Sequence, residues 1–578
     1  MKCTNCGFEN EENALVCQSC GANLAEPKVE KAEDAPAKKC CGLLKNKAAL
    51  IGLAAVAAIV LLLVIVISAI ANSGNGFIER ECEYSVIQNE EGDLVVLNGK
   101  KLLKDKIDIE TPDEADWELG ESIDGSIATL VVEDVDGEED VETLYIIKKN
   151  KIVKVAENVE DYTLSITGET LVYTVVDEEK EEATLVSYTV KNGKTKDIAK
   201  SDEESYVDNY ILSPDGKTVA YTMNESESEG DGDVKQVTYL YNGKKSEKIT
   251  TAEISLIAMS NKAKYIYAAV EEEKEDGTEV NLYIYNKKGE KETKLGKIAG
   301  NWIQFNADCT QAIYQTKSDK GDTYSYLSIN GKEGIKLAKT TLTMAANGIN
   351  ATGYYENGAL VLPVDDLYDH VYMSVKYGEN SVSYDMYLVK KGEDKTVKLV
   401  SGISGDYTLD QSAEYLYYKD ADDKDNTLMV LKIAKGENAK DKAKTIAEDV
   451  EEYVVTSDRK KVYFINDESL YRVNGKRGGK TKTLANDEIE NGLVISAKDV
   501  VYYSDADGVL YATTGGKGKK IMDDCYDIEV VNGQIFVETE DNEICFVNKT
   551  KKPKKIVTEY EEKAAIPGIP DYDMPDVG

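Results

Sequence analysis

Two hydrophobicity patterns divide this chain. From about residue 82 to residue 560, apolar and polar positions alternate, with a Gly, Asn or Asp turn signal every eight to twelve residues. A period of two broken at that spacing predicts short strands, each half-buried on a pleated surface. Upstream, residues 48–71 (AALIGLAAVAAIVLLLVIVISAIA) run 24 positions without a charge. As a helix that run is roughly 36 Å long, enough to cross a hydrocarbon core of about 30 Å with some tilt. The chain is therefore expected to be all-β apart from one transmembrane helix.

The alternating part repeats. A short turn followed by an apolar strand begins at Leu212 (LSPDGKTVAYT), Met259 (MSNKAKYIYAAV) and Phe305 (FNADCTQAIYQT), then again at Leu409, Thr456 and Ile495. Successive starts lie 47, 46, then after a gap 47 and 39 residues apart. Between them come alternating strands that run into hairpins, such as TYLYNGKK from Thr238 and LYRVNGKR from Leu470. Asn-Gly provides the two positive-φ positions of a type I′ turn, so Asn192-Gly193, Asn242-Gly243, Asn330-Gly331 and Asn474-Gly475 each mark a tight hairpin. Two hairpins per 39–47 residues make one four-stranded unit, the period of a β-propeller blade. About ten units fit between residues 117 and 560, plus an incomplete one near 84–108. Few single propellers exceed about eight blades. Two tandem propellers, residues 82–345 and 346–563, are thus preferred over one large one, with the irregular stretch 343–370 as the boundary. Only Pro112, Pro214 and Pro363 fall between residues 72 and 550, as ladders that need every amide donor require.

The motif S-x-D-G-K-x-x-A-Y at 213–221 resembles the WD-like repeat of Tol-system and prolyl-oligopeptidase propellers, and is similar to bacterial propeller domains of unknown function. No G-x-S-x-G nucleophile elbow occurs in the chain, so the hydrolase domain that follows the propeller in prolyl oligopeptidases is not expected.

Before the apolar run stand two cysteine knuckles, Cys3-Thr-Asn-Cys6-Gly7 and Cys17-Gln-Ser-Cys20-Gly21. Each CxxC turn offers two thiolates on one side, so Cys3, Cys6, Cys17 and Cys20 are the expected ligands of a structural Zn²⁺. A segment of 20 residues cannot bury a core, and the metal would supply its folding energy. Residues 3–21 resemble the short zinc ribbon at the N-terminus of many bacterial membrane proteins. The order expected is zinc ribbon 1–21, flexible linker 22–47, transmembrane helix 48–71, juxtamembrane linker 72–81, the two propellers, and an extended tail 564–578 holding Pro567, Pro570 and Pro575.

Charge adds direction. Lys38, Lys39, Lys45 and Lys47 precede the span and only Arg80 follows closely, so the N-terminus is expected in the cytosol and the long part outside the cell membrane. Free thiolates need a reducing compartment, which agrees. The chain carries 107 acidic and 69 basic residues, net −38, all of it after residue 71. Such an excess repels phosphate, so nucleic acid is not expected as a partner. A protein, a peptide or a neutral glycan is expected at the propeller, the lipid bilayer around residues 48–71, and a cytosolic protein at the ribbon.

A lone histidine, His370, and four arginines leave little for catalysis, and no enzyme activity is expected. A carboxylate site in a propeller channel, or a sensor acting through a partner, are the alternatives. The acidic turns at 133–137, 420–425 and 505–508 read as hairpin chemistry before Ca²⁺ loops. Cys82, Cys309, Cys525 and Cys545 are expected on an outer face, as buried thiols or with Cys82 bridged to Cys545; Cys40 and Cys41 as unpaired juxtamembrane thiols.

Overall fold

A computed structural model describes residues 84–557 apart from short connecting stretches. The ribbon, both linkers, the apolar run, Cys82 and the tail lie outside the described residues.

The described residues are all-β, built mainly of four-stranded antiparallel sheets of the kind that form propeller blades, most of them from strands consecutive in sequence. The first sheet has three strands, Tyr84–Gln88, Leu94–Asn98 and Lys101–Ile107. Four-stranded sheets follow at 116–157, 159–201, 205–250 and 255–297, and a sixth at 303–338. The seventh and eighth are fused because one long strand, Thr396–Leu409, pairs by its first half with Val382–Val389 and by its second half with Tyr415–Asp420. Four-stranded sheets at 453–485, 494–522 and 525–557 complete eleven units, matching the count read from the repeat.

One turn design recurs between the first and second strands. Ser122, Ser165, Ser213, Ser260, Asn306, Thr456 and Ser496 each start such a turn, and each side-chain oxygen accepts the backbone N–H four or five residues on, at 2.8–3.3 Å. The third residue after each has positive φ: Gly125, Gly168 and Gly216, but also Ala263, Cys309, Arg459 and Asp499. The Ser213 turn is the S-x-D-G-K motif itself, where Asp215 Oδ1 accepts from Ser213 Oγ at 2.9 Å and from the Lys217 N–H at 3.3 Å. Gly216-Lys217-Thr218 is therefore turn structure.

A second repeated feature is a stacked aromatic pair joining the second and third strands. Tyr221–Tyr239, Tyr314–Tyr326, Phe464–Tyr471 and Tyr503–Tyr511 sit directly opposite in register, with centroids 5.3–5.7 Å apart. Such pairs each add roughly 1 kcal/mol beyond area burial. Several tyrosines are more enclosed than alternation suggests, and their hydroxyls reach backbone rather than water. Tyr417 donates to Gly475 O at 2.8 Å in the next sheet and Tyr502 to Lys549 O at 3.0 Å.

Each sheet buries its faces against its two neighbours in the chain. Val172 and Leu185 meet Tyr210 and Tyr221 between the third and fourth sheets. Ile313 and Leu327 meet Tyr372 and Val389 between the sixth and seventh, so packing continues across the expected boundary at 345/346. The series also joins its ends: Val95 and Leu97 of the first sheet cluster with Phe536, Ile544 and Phe546 of the eleventh.

The irregular stretch at 343–370 is drawn inward. Its hairpin, Tyr354–Glu356 with Ala359–Val361, lies beside the first strand of the sixth sheet, Ile303–Phe305, in parallel register. Gln304 stitches the flanking chain in place, donating to Leu342 O and accepting from Met344 N–H, both at 2.7 Å.

Candidate functional site

The first strands of several neighbouring sheets adjoin: Val159–Leu164 with Ser205–Leu212, that strand with Ser255–Met259, and Val494–Ile495 with both Tyr453–Val455 and Cys525–Val531. Between the third and sixth sheets one part of the lining they form is largely apolar. Leu164, Ile166, Ile257, Met259, Cys309 and Val361 surround a cavity of about 20 Å³, which the 354–361 hairpin helps to close. That volume holds a water molecule or two and no ligand of drug size.

Polar groups stand on the same third-sheet strand as Leu164 and on strands of other sheets. Asp161, in Val159–Leu164, has its carboxyl pushed upward by burial, against the pull of a hydrogen bond from Tyr210 and one from the Tyr162 N–H at 2.8 Å. Nearby, Glu142 stands directly across from Glu133 on the adjacent strand; burial and then the charges of Glu133 and Glu118 raise its pKa. Glu529 is the most perturbed carboxyl of this kind. It lies in the innermost strand of the last sheet, Cys525–Val531, across from Phe536. Burial, followed by the charges of Asp527 and Glu538, pushes it up to about 7. Two neighbouring carboxylates, Asp527 and Glu538, oppose its ionisation.

His370 lies in the seventh sheet and is buried, and desolvation lowers its pKa, so it is neutral at pH 7. Cys525 and Cys545 are free thiols buried in one cluster between the tenth and eleventh sheets. Cys82, the expected partner of Cys545, lies outside the described residues, and Cys525 and Cys545 are buried between sheets and not on an outer face. Burial pushes the Cys525 thiol up to about 12, which leaves it unreactive. Cys309 is buried in the turn of the sixth sheet.

The acidic turns at 420–425 and 505–508 use their carboxylates on their own backbone. Asp423 accepts from the N–H groups of Asp425 and Thr427, both at 3.0 Å, and Asp505 from that of Val509 at 2.9 Å. Among the described residues no group of three or more His, Cys, Asp or Glu is arranged to hold a metal ion. The expected zinc ligands Cys3, Cys6, Cys17 and Cys20 lie outside the described residues. No helix among the described residues is long and apolar enough to cross a membrane, and residues 48–71 fall outside them. Reading the sequence alone overlooked Glu529, although the D-x-E spacing on a strand opposite Glu538 was a signal for it.

No family model matches the chain, and no curated protein matches it. Among solved structures it is similar to the β-propeller domain of the Trilobed protease from Pyrococcus furiosus, at 14% identity over 57% of this chain and 98% of that one, with a TM-score of 0.32. It is similar to Porphyromonas gingivalis dipeptidyl peptidase 4 at 12% identity over 68% of this chain, with a TM-score of 0.38. The likeness to Pyrococcus horikoshii acylaminoacyl peptidase has 13% identity over 65% of this chain, and a TM-score of 0.31. The chain spans 64% and 55% of the lengths of those two peptidases.

Proposed function

We propose that this chain is a non-catalytic, single-pass membrane protein whose all-β unit is one propeller that binds a protein, peptide or neutral glycan outside the cell. The observation that carries the reading is the circuit of packing, in which each sheet meets the next and the eleventh meets the first. One circuit supports a single large propeller over two in tandem, because tandem rings would each need their own closing interface. The inward hairpin at 354–361 supports it as well, since that stretch is used as filling and not as a linker. Residues 48–71 serve as the anchor, and Cys3, Cys6, Cys17 and Cys20 hold a structural Zn²⁺ in a cytosolic docking module.

The test is capture with the compact unit Ser73–Gly578 as bait on envelope extracts, beside protease treatment of intact cells. The reading expects a saturable envelope component and loss of the long domain on treatment. Retention of nothing, with the domain protected, would overturn it.

Glu529 favours one second reading, an extracellular enzyme with a carboxylate site, because a carboxyl near pKa 7 beside ionised neighbours can act as a general acid. Loss of a glycan-cleaving activity in Glu529→Gln would support it.

A further inference from the structure

The net charge of −38 hides a separation along the strands. In an antiparallel sheet of consecutive strands, the connection between second and third strands lies at one end, and those between first and second and between third and fourth lie at the other. The third-to-fourth connections at 148–151, 191–194, 242–245, 286–291, 474–480, 515–520 and 548–555 hold 21 basic residues against one acidic, Glu290. The second-to-third connections at 177–182, 225–233, 271–279, 420–425 and 538–543 hold 24 acidic residues against three basic. The sixth and seventh sheets are near neutral at both ends. At the lysine-rich end the first-to-second connections of the other sheets and of the sixth hold six basic residues against eight acidic, and 433–443 holds three against two, so the excess there comes from the third-to-fourth turns.

The basic turns lie on a common face, because turns of consecutive sheets touch. Asn98 Nδ2 donates to Asn150 Oδ1 at 2.8 Å, Lys148 Nζ to Val190 O, and Lys196 Nζ to Gly243 O and Lys244 O at 3.0 Å. Across the chain, Lys461 Nζ donates to Thr514 O at 2.6 Å and Lys519 Nζ to Thr550 O at 2.8 Å. A strand of eight residues is about 26 Å long. That is about three screening lengths at physiological salt, so a surface approaching one end is governed by that end and not by the total.

The path of the chain says what meets the basic end. Tyr84, where the described chain begins, is paired with Asn98, so the first strand starts at the end that carries the 98–101 turn. The described chain thus begins at the lysine-rich end. Residues 72–83 are 12 residues and reach at most about 40 Å from the end of the apolar run.

We infer that the lysine-rich end is a docking face for an anionic lipid bilayer, which turns the acidic end away from the membrane. The inference rests on the reading that residues 48–71 anchor the chain. It goes beyond that reading in assigning an orientation and a second contact with the bilayer. Exposed lysines such as Lys244, Lys245, Lys519 and Lys552 would meet headgroup phosphates as point charges, a role that needs no arginine fork.

The test is lysine acylation, read by mass spectrometry, on the full chain in nanodiscs of phosphatidylglycerol or of phosphatidylcholine. Acylation of Lys244, Lys245 and Lys519 is expected to fall about fivefold or more in the anionic discs and to recover at high salt. Lys180 and Lys274, in acidic-end connections, are expected to react equally in both. Equal reactivity of the basic-end lysines in the two discs would overturn the inference. Protection of the same lysines in phosphatidylcholine discs by soluble polyphosphate, with none from phosphatidylglycerol, would also overturn it, in favour of an anionic polymer. If the full chain stays out of the discs, the anchor reading fails separately. Co-sedimentation of that soluble chain with phosphatidylglycerol vesicles then decides the docking face: binding abolished by Lys244→Glu with Lys245→Glu and Lys519→Glu supports it, and no binding rejects it.

Discussion

At the scale of single residues, the left-handed position of the recurring turn is the sharpest constraint. A Cβ at Gly216 would stand 2.7 Å from Thr170 Oγ1 and 2.8 Å from Thr170 Cβ in the neighbouring sheet, at a φ of 67°. Gly321 also has positive φ, but a Cβ there meets nothing within 4 Å. Gly216→Ala is therefore expected to cost about 2 kcal/mol or more and Gly321→Ala about 1 kcal/mol. Thermal melting of the two variants checks the order, and equal losses would refute the contact with Thr170. The Gly in S-x-D-G-K was legible as a turn residue; its fit against the next sheet was not, because Thr170 lies 46 positions earlier. Ala263, Cys309, Arg459 and Asp499 occupy the same conformation without being glycine. The repeat consequently fades in letters while it persists in backbone geometry.

At the scale of strands and sheets, Asp385 shows how a charge is held inside a ladder. Its side chain is fully buried, with Lys376 Nζ at 2.7 Å, Lys398 Nζ at 2.5 Å and the Gly402 N–H at 3.2 Å. Burial alone would raise this carboxyl, but the hydrogen bonds from Lys376 and Lys398 outweigh it and hold its pKa below the usual range. A depressed folded pKa means stability that is present above the unfolded value near pH 4 and lost as pH falls through the folded value. Asp385→Asn should cost about 2 kcal/mol at pH 7 and progressively less below about pH 4. Denaturant melts at pH 7 and pH 3 test this, and an equal cost at both would contradict the ion cluster. Glu529 has the opposite sign. Its raised pKa makes the protonated form the stable one, and its contribution fades as pH rises through about 7. Strand number and hairpin positions were legible from Asn-Gly turns and alternation. The fused strand Thr396–Leu409 was not, because a strand that passes from one sheet to the next without a turn leaves no break in the alternation.

At the scale of the whole unit, the sequence supplied the number of repeats but not how they close. The choice of two rings came from the usual size of propellers, and the irregular stretch at 343–370 looked like a joint. In the structure Val95, Leu97, Phe536 and Phe546 cluster between the first sheet and the last, and Ile313 packs with Tyr372 across residue 346. Contacts between residues more than 400 positions apart leave no local mark in a single sequence. A net charge summed over 578 residues likewise carries no record of where along the strands the charges stand. Single-particle electron microscopy of the full chain tests the single-circuit account most directly. Face views should show one ring of eleven radial sheets with density for the 354–361 hairpin inside it. Two smaller rings side by side, joined near residue 346, would contradict it.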